Sequence, residues 1–597
     1  MPSDLLPALR HALALAALVA VASGPAAAQS NATGVQLGGL GRAIVTNDYF
    51  SGDALDGDST SDRRSAGGYT LVDLAVEAAP NAATEARVVL RLRSELGGFF
   101  GDGYRFGIRE LFVRGTIADA IDYSVGDMDL AFTPYTLHST PETTGNEAEV
   151  FALRRDVARY EAFDYGEETW RLQGLRTGFG LAFGPEDSGQ RARVDGFISR
   201  TAPTSGTVPD RLLGGARVSA DVVPGVSAGA TFIDLFDLEG TGSRQGLANP
   251  VVTADLRAAY PLTEGVVVGV RGEAGASQAG FGDESPVPTR RDYFVDGGVF
   301  ARAYGGSLAV GYRDVGPGFI SPGAQTRRIS YDQTPSLFGQ ADGFDGARDI
   351  TQFDAIALEE LYNVRIQPGL LPFDPRLDPA EPYGQATPNR RGLSVQAAYG
   401  EPRSEAFGAT DPGQVVTATA GLDLLREITG EGTPETRRFT VASGALDLAL
   451  DAYVGRPLLV TLGVKHMQTS RDGFAFGDGT AARDTGAVDL TSTLFNAGVT
   501  ANVTGRLDAL VGVKVLAASG NEFRAFRDGV NDPFAITGFE GARYDDTQTL
   551  AGLGLRYRIR DRNYLLAQGS VLAMSDDATD TASYQIADLF LHYVLTF

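Results

Sequence analysis

Cysteine is absent from all 597 residues, which excludes disulfides, thiolate metal sites and cysteine nucleophiles together. Lysine is nearly absent. Only Lys465 and Lys514 occur, and arginine supplies the rest of the 51 basic residues. Histidine is scarce too, with four in the chain. His138, His466 and His592 are the only candidates for a general base beyond the N-terminal region. No G-x-S-x-G, HExxH or phosphate-loop motif accompanies them, so the sequence points away from an enzyme and away from any cofactor. Basic residues form no block, and 75 acidic side chains leave a formal charge of −24, an unsuitable balance for nucleic acid. No later stretch reaches 18 consecutive apolar residues, which excludes helical membrane spans from the body of the chain.

What is present in excess is glycine, 75 residues, and alternation with period two. Val266, Val268, Val270 and Ala274 share one face, with Arg271 and Glu273 on the other. Leu507, Ala509, Val511, Val513 and Val515 repeat this against Asp508, Gly512 and Lys514. Ala551, Leu553, Leu555, Tyr557 and Ile559 do so against Gly552, Gly554, Arg556, Arg558 and Arg560. Successive side chains of a strand point to opposite faces, so these are strands with one apolar face.

The connections fall into two kinds. Short turns occur at 261–265, 305–306, 455–457, 504–506 and 561–563, and long polar loops at 277–291, 316–390, 471–485 and 519–544. Short turns on one side and long loops on the other mark a transmembrane barrel. Tyr260, Tyr304, Tyr399 and Tyr453 stand beside short turns, as an aromatic girdle requires. The stretch 149–161 looks weakly strand-like, but counting it would break the alternation, so 133–167 is expected to form one outer loop. The expectation is an all-β, single antiparallel barrel of about 22 strands, within roughly 18 to 24. Alternation already appears between Val35 and Val45, leaving no room for a plug domain.

At the N-terminus, Arg10 and His11 precede an apolar run, Ala12 to Ala22, followed by Ala26-Ala27-Ala28. This is the pattern of a secretory signal peptide over residues 1–28, leaving 29–597 as the barrel. At the other end, Leu589, Leu591, Tyr593, Leu595 and Phe597 alternate with Phe590, His592, Val594 and Thr596. With these residues the chain resembles Gram-negative outer-membrane β-barrel proteins of the porin-like kind. The resemblance implies an assembly signal in Tyr593, Leu595 and Phe597, read by the barrel-assembly machinery. It also implies a location in the outer membrane, with lipid and lipopolysaccharide as surroundings.

Within a barrel, the face opposite the lipid lines the lumen. Arg87, Arg91 and Arg93, then Arg105 and Arg109, then Arg556, Arg558 and Arg560, are therefore expected to face inward. First and last strands meet on closure, which puts these groups in one sector as a basic strip along the pore wall. Such a strip biases ion selectivity, and its plain competitor is wall-stiffening ion pairs. The 316–390 loop, with a helical turn expected from Asp354 to Tyr362 and with Phe319, Phe338, Phe344 and Phe353 to bury, is either an extracellular loop or a pore-folded constriction. The acidic groups Asp53, Asp56, Asp58, Asp62 and Asp576, Asp577, Asp580 do not match a calcium loop, and no metal is expected. The expected activity is passage of small polar or charged solutes. The alternative is a non-conducting barrel that serves as adhesin, surface-material anchor or secretion and assembly component.

Overall fold

The computed structural model describes residues 34–51, 63–95, 104–139, 146–161, 168–183, 190–202, 209–241, 246–282, 285, 287–325, 366, 370, 373–400, 415–474, 486–527, 536–560, 562–577 and 583–597. The signal-peptide segment, the helical turn expected at Asp354–Tyr362, and Asp53, Asp56, Asp58, Asp62 and Asp580 lie outside them.

Twenty-two strands form one sheet. In chain order they are β1 Val35–Ser51, β2 Arg63–Asn81, β3 Thr84–Glu95, β4 Tyr104–Ile117, β5 Ile121–Leu130, β6 Trp170–Ala182, β7 Arg191–Ala202 and β8 Arg211–Val223. There follow β9 Val226–Asp237, β10 Ala248–Thr263, β11 Val266–Ala279, β12 Arg290–Ala303, β13 Gly306–Val315, β14 Arg390–Tyr399 and β15 Val416–Arg426. The last seven are β16 Arg438–Ala449, β17 Leu458–Arg471, β18 Val488–Thr504, β19 Leu507–Arg527, β20 Ile536–Arg560, β21 Asn563–Asp576 and β22 Tyr584–Thr596. Each strand pairs antiparallel with its successor, and β1 pairs antiparallel with β22 from Leu40↔Thr596 to Ser51↔Gln585. The sheet is closed, so the backbone carries no edge into lipid.

The two faces differ as the alternation requires. Leu553, Leu555, Tyr557 and Ile559 are exposed on the outside of β20, while Arg556 between them is buried. His466 is on the outer face of β17 and hydrogen-bonds Thr493. His592 is buried on the inner face of β22, between the Tyr564 and Phe590 rings. At the short-turn end, Tyr260, Tyr304, Tyr399 and Tyr453 are all more than half exposed. The β12–β13 turn is built on Tyr304 at φ 50° and Gly305 at φ 80°. Two consecutive left-handed residues give the hairpin turn whose twist suits the strands.

Three expectations need correction. Residues 149–161, expected within one outer loop over 133–167, lie in the β5–β6 connection but form a 13-residue helix, α1 (Glu149–Glu161). The apolar set Val150, Phe151, Leu153 and Val157 is buried, and it repeats at helical rather than strand spacing. Residues 519–544 are mostly strand, because β19 runs 21 residues and β20 runs 25. Finally, the alternation of short and long connections is not regular, since at the short-turn end β6 and β7 are joined by residues 183–190, β14 and β15 by residues 400–415, and β16 and β17 by residues 450–457.

One junction of the wall is short. β4 pairs with β5 only from Phe112↔Gly126 to Ile117↔Ile121. Beyond that point side chains replace the ladder. Asp127 accepts from the Leu111 N–H at 2.6 Å, and Arg171 donates to the Arg109 carbonyl at 3.2 Å.

Candidate functional site: the inner wall and the segments folded against it

Helix α1 lies inside the barrel, and the wall is shaped to receive it. Gly498, Gly512, Gly552, Ser570 and Asp588 are register partners across β18 to β22, forming one row on the inner face. A Cβ at Gly512 would stand 2.7 Å from Val150 Cγ1, and one at Gly498 would stand 2.4 Å from the Ala148 Cβ. Both separations are too short for real atoms, so these strand glycines mark a close approach rather than a weak strand. Where the row turns polar, the helix turns polar: Arg154 ion-pairs with Asp588, bonds Ser570 and lies over the Phe590 ring.

The helix is pinned at both ends. Ahead of it Glu147 pairs with Lys514 at 2.6 Å, and in its first turn Glu149 pairs with Arg556. Carboxylates suit a helix N-terminus, whose dipole end is positive. At the far end the Tyr160 hydroxyl donates to Asp73. Arg109 donates to the Tyr160 carbonyl at 2.7 Å and lies over its ring at 3.8 Å, with Arg42 and Arg91 also facing that ring. Burial, with the Asp73 charge adding and Arg109 opposing, pushes the Tyr160 hydroxyl up to about 12.

The arginines expected at the wall can now be placed. Arg87 pairs with Glu77 and Glu110, Arg91 makes a two-pronged pair with Asp73, and Arg93 covers the Tyr69 ring. A β-bulge in β4 moves the pairing from Val89↔Glu110 to Leu90↔Ile108 and leaves Arg109 as the extra residue. Phe106 and Ile108 on one side of it, and Leu111 and Val113 on the other, all remain exposed on the outside. Arg109 and Glu110 are thus both turned inward, a re-aiming that bulges supply. Arg105 stands opposite Arg93 in the ladder. Arg556 and Arg558 share Asp508, and Arg560 is exposed near the short-turn end. Helix α1 bridges the two groups, touching Arg556 on β20 and Arg91 and Arg109 on β3 and β4.

A second set of segments packs against the wall between β11 and β20. Tyr135 stacks on Phe294 at 3.8 Å and donates to Asp296, and Thr133 donates to Glu273. Phe319 is fully buried beside them, and Trp170 donates to the Gly323 carbonyl at 2.7 Å. Residues 373–389 cross from β13 to β20: Glu381 pairs with Arg313, Asp378 with Lys465, and Arg376 with Asp546. Gln325 donates to the Ala386 carbonyl and ties the two described parts of the 316–390 loop together. The side chains these segments touch, such as Arg313, Lys465 and Lys514, are the inward ones.

Toward the short turns the inner face is open along β1–β7. A cavity of ≈ 740 Å³ there is lined by Arg114, Arg176, Arg193, Glu77, Glu85 and Asp122, among others. These charges pair as Arg114–Glu85 and Arg193–Asp122, while Arg176 reaches Asp195. Among the described residues, no three His, Cys, Asp or Glu side chains converge as metal ligands. The closed strand order, the apolar outer face and the polar inner one decide the class. By fold, this is a porin-like, membrane-spanning barrel.

No protein-family model matches the sequence, and no curated protein matches it. Among solved structures the barrel is similar to OccK2 (OpdF) of Pseudomonas aeruginosa, at 9% identity and a TM-score of 0.34, covering 94% of this chain and 98% of that one. It is also similar to a BenF-like porin from Pseudomonas fluorescens Pf-5, at 10% identity and a TM-score of 0.32, covering 94% and 99%. For OpdQ of Pseudomonas aeruginosa the values are 10%, 0.30, 94% and 98%.

Sequence reasoning missed Glu147, Glu149, Arg154 and Tyr160 on the helix side, and Arg42, Asp73 and Asp588 on the wall. One signal was available: the spacing of Val150, Leu153 and Val157, three and then four residues apart.

Proposed function

We propose that the barrel is an outer-membrane channel through which small polar or charged solutes pass without chemical change. The observation that carries this is the inner face, lined by paired charges and open to a cavity of ≈ 740 Å³ along β1–β7 near the short turns, with loops folded against the wall elsewhere. In the long-loop half, residues 373–389 narrow the passage, and α1 crosses from nearer the short turns, where Asn146 bonds Asp447 and Glu149 pairs with Arg556. In the short-turn half, Arg87, Arg114, Arg176 and Arg193 continue the basic strip, each facing a carboxylate. A transverse field of this kind orients a dipolar solute as it moves. On the same reading the short turns face the periplasm. The outward residues Tyr593 and Leu595, with Phe597 closing on Gly39, serve as the segment engaged during assembly.

One observation favours the alternative, a barrel that does not conduct and acts as anchor, adhesin or assembly component. The folded-in segments are held by buried ion pairs, Arg154–Asp588 and Lys514–Glu147, and not merely by loop contacts. Single-channel recording in planar bilayers separates the two. Stable unitary conductance is the result expected, and a folded barrel that is silent with and without residues 147–161 overturns the channel reading.

A further inference from the structure

On the outer face, the register that carries the inner rows also carries an arginine row. Arg391, Arg426 and Arg438 are direct partners across β14, β15 and β16. They face outward, because each continues the parity of an exposed apolar residue, Leu393 on β14 and Leu424 on β15, while Phe439 beside Arg438 is buried inside. Arg426 and Arg438 are exposed, the latter's side chain 71% so. Arg291 stands on the same outer face of β12, next but one to the half-exposed Tyr293. Together with Tyr312, Tyr293 marks the long-loop border of the apolar band.

Like charges directly opposite one another on adjacent strands repel. The compensation within the chain is incomplete. Asp314 pairs with Arg391 at 2.7 Å, and Asp472 approaches Arg438 at 3.7 Å with both side chains largely in solvent. Among the described residues, Arg426 and Arg291 have no ion-pair partner. This local excess of positive charge sits on a chain whose net charge is −24. It also sits where a headgroup layer would begin, one step beyond the apolar band. Guanidinium groups match phosphate oxygens in fork geometry.

We propose that Arg391, Arg426 and Arg438, flanked by Arg291, bind the phosphate groups of a phosphorylated glycolipid in the outer leaflet, the lipid A part of lipopolysaccharide. This rests on the reading that the long loops face the cell exterior. The acyl chains lie against Leu393 and Leu424, and the phosphates lie over the arginine row. Ring-bound lipid then reinforces β14–β16, the strands against which residues 373–389 are folded from the other side.

The test compares full-length protein with the Arg426→Ser, Arg438→Ser double variant. Binding of bisphosphorylated lipid A, or of its dephosphorylated form, to each barrel is measured with the barrel held in detergent micelles. The expected result is about tenfold weaker binding of the bisphosphorylated lipid by the double variant. That preference should disappear with the dephosphorylated lipid and fade with added salt. The Arg506→Ser variant, altered in a turn at the opposite end, should bind like the parent. Equal binding of parent and double variant overturns the proposal. So does a parent that fails to distinguish the two lipids. Conductance in bilayers free of lipid A is recorded in parallel: a conducting parent without lipid preference sinks only the lipid site, whereas a parent that does not insert sinks the membrane-barrel reading itself.

Discussion

Gly512 decides whether α1 can lie where it does, since any Cβ there collides with Val150, Ala148 and Phe151 at 2.7–2.9 Å. Gly512→Val should therefore expel the helix while leaving the outward ladder of β19 intact. The expected readout is a rise in single-channel conductance, with protease cleavage appearing within 147–161 and the folded barrel's electrophoretic mobility unchanged. Arg154 and Asp588 test the same berth by charge. Both are at most 1% exposed as side chains, so removing one alone leaves the other stranded and should cost about 3–5 kcal/mol. A double-mutant cycle on Arg154→Ala and Asp588→Ala should show strong coupling; additive losses would mean that the pair does not hold the helix. Tyr160 responds to pH. Its hydroxyl must keep its proton to donate to Asp73, and its pKa is raised from 10 to about 12 by docking. Docking is thus fully supported below pH ~10 and lost as pH rises through about 12. Conductance should increase over that interval in the parent and not in Tyr160→Phe.

At the level of elements, deletion of 147–161 should leave assembly unaffected and enlarge conductance. The strands were readable from sequence because a membrane wall imposes one rule along its whole length. An outward residue such as Leu553 meets lipid and an inward one such as Arg556 does not, and the period is two wherever one looks. Helix α1 obeys a different rule. Its partners Lys514, Arg556 and Asp588 lie 367, 407 and 434 residues further on from their mates. No local pattern encodes contacts at that separation. The glycines at 498, 512 and 552 do record them, but only after the register of β18, β19 and β20 has lined them up. The parity of Arg87, Arg91, Arg556 and Arg558 was likewise written in the alternation, whereas the bulge that turns both Arg109 and Glu110 inside was not, since one extra residue leaves no mark in composition.

For the molecule as a whole, charge is distributed by face: pairs inside, an arginine row outside, and an acidic excess elsewhere. Replacing Arg556, Arg558 and Arg560 with serine leaves Asp508 and Glu149 without their cations. The triple variant should shift the reversal potential toward cation selectivity and assemble normally. An unchanged reversal potential would assign these arginines to wall stiffening alone.

A closed ring carries hoop tension, and tension finds the joint with the fewest rungs. Between β4 and β5 six residue pairs remain, against ten on the far side of β5. There the hoop is riveted by two side chains, Asp127 and Arg171, in place of the missing rungs. Thermal breathing and lateral pressure from the bilayer will therefore act first at this place. Amide hydrogens of β4 that face β5 should exchange before those of any other strand, and Asp127→Asn should hasten them further.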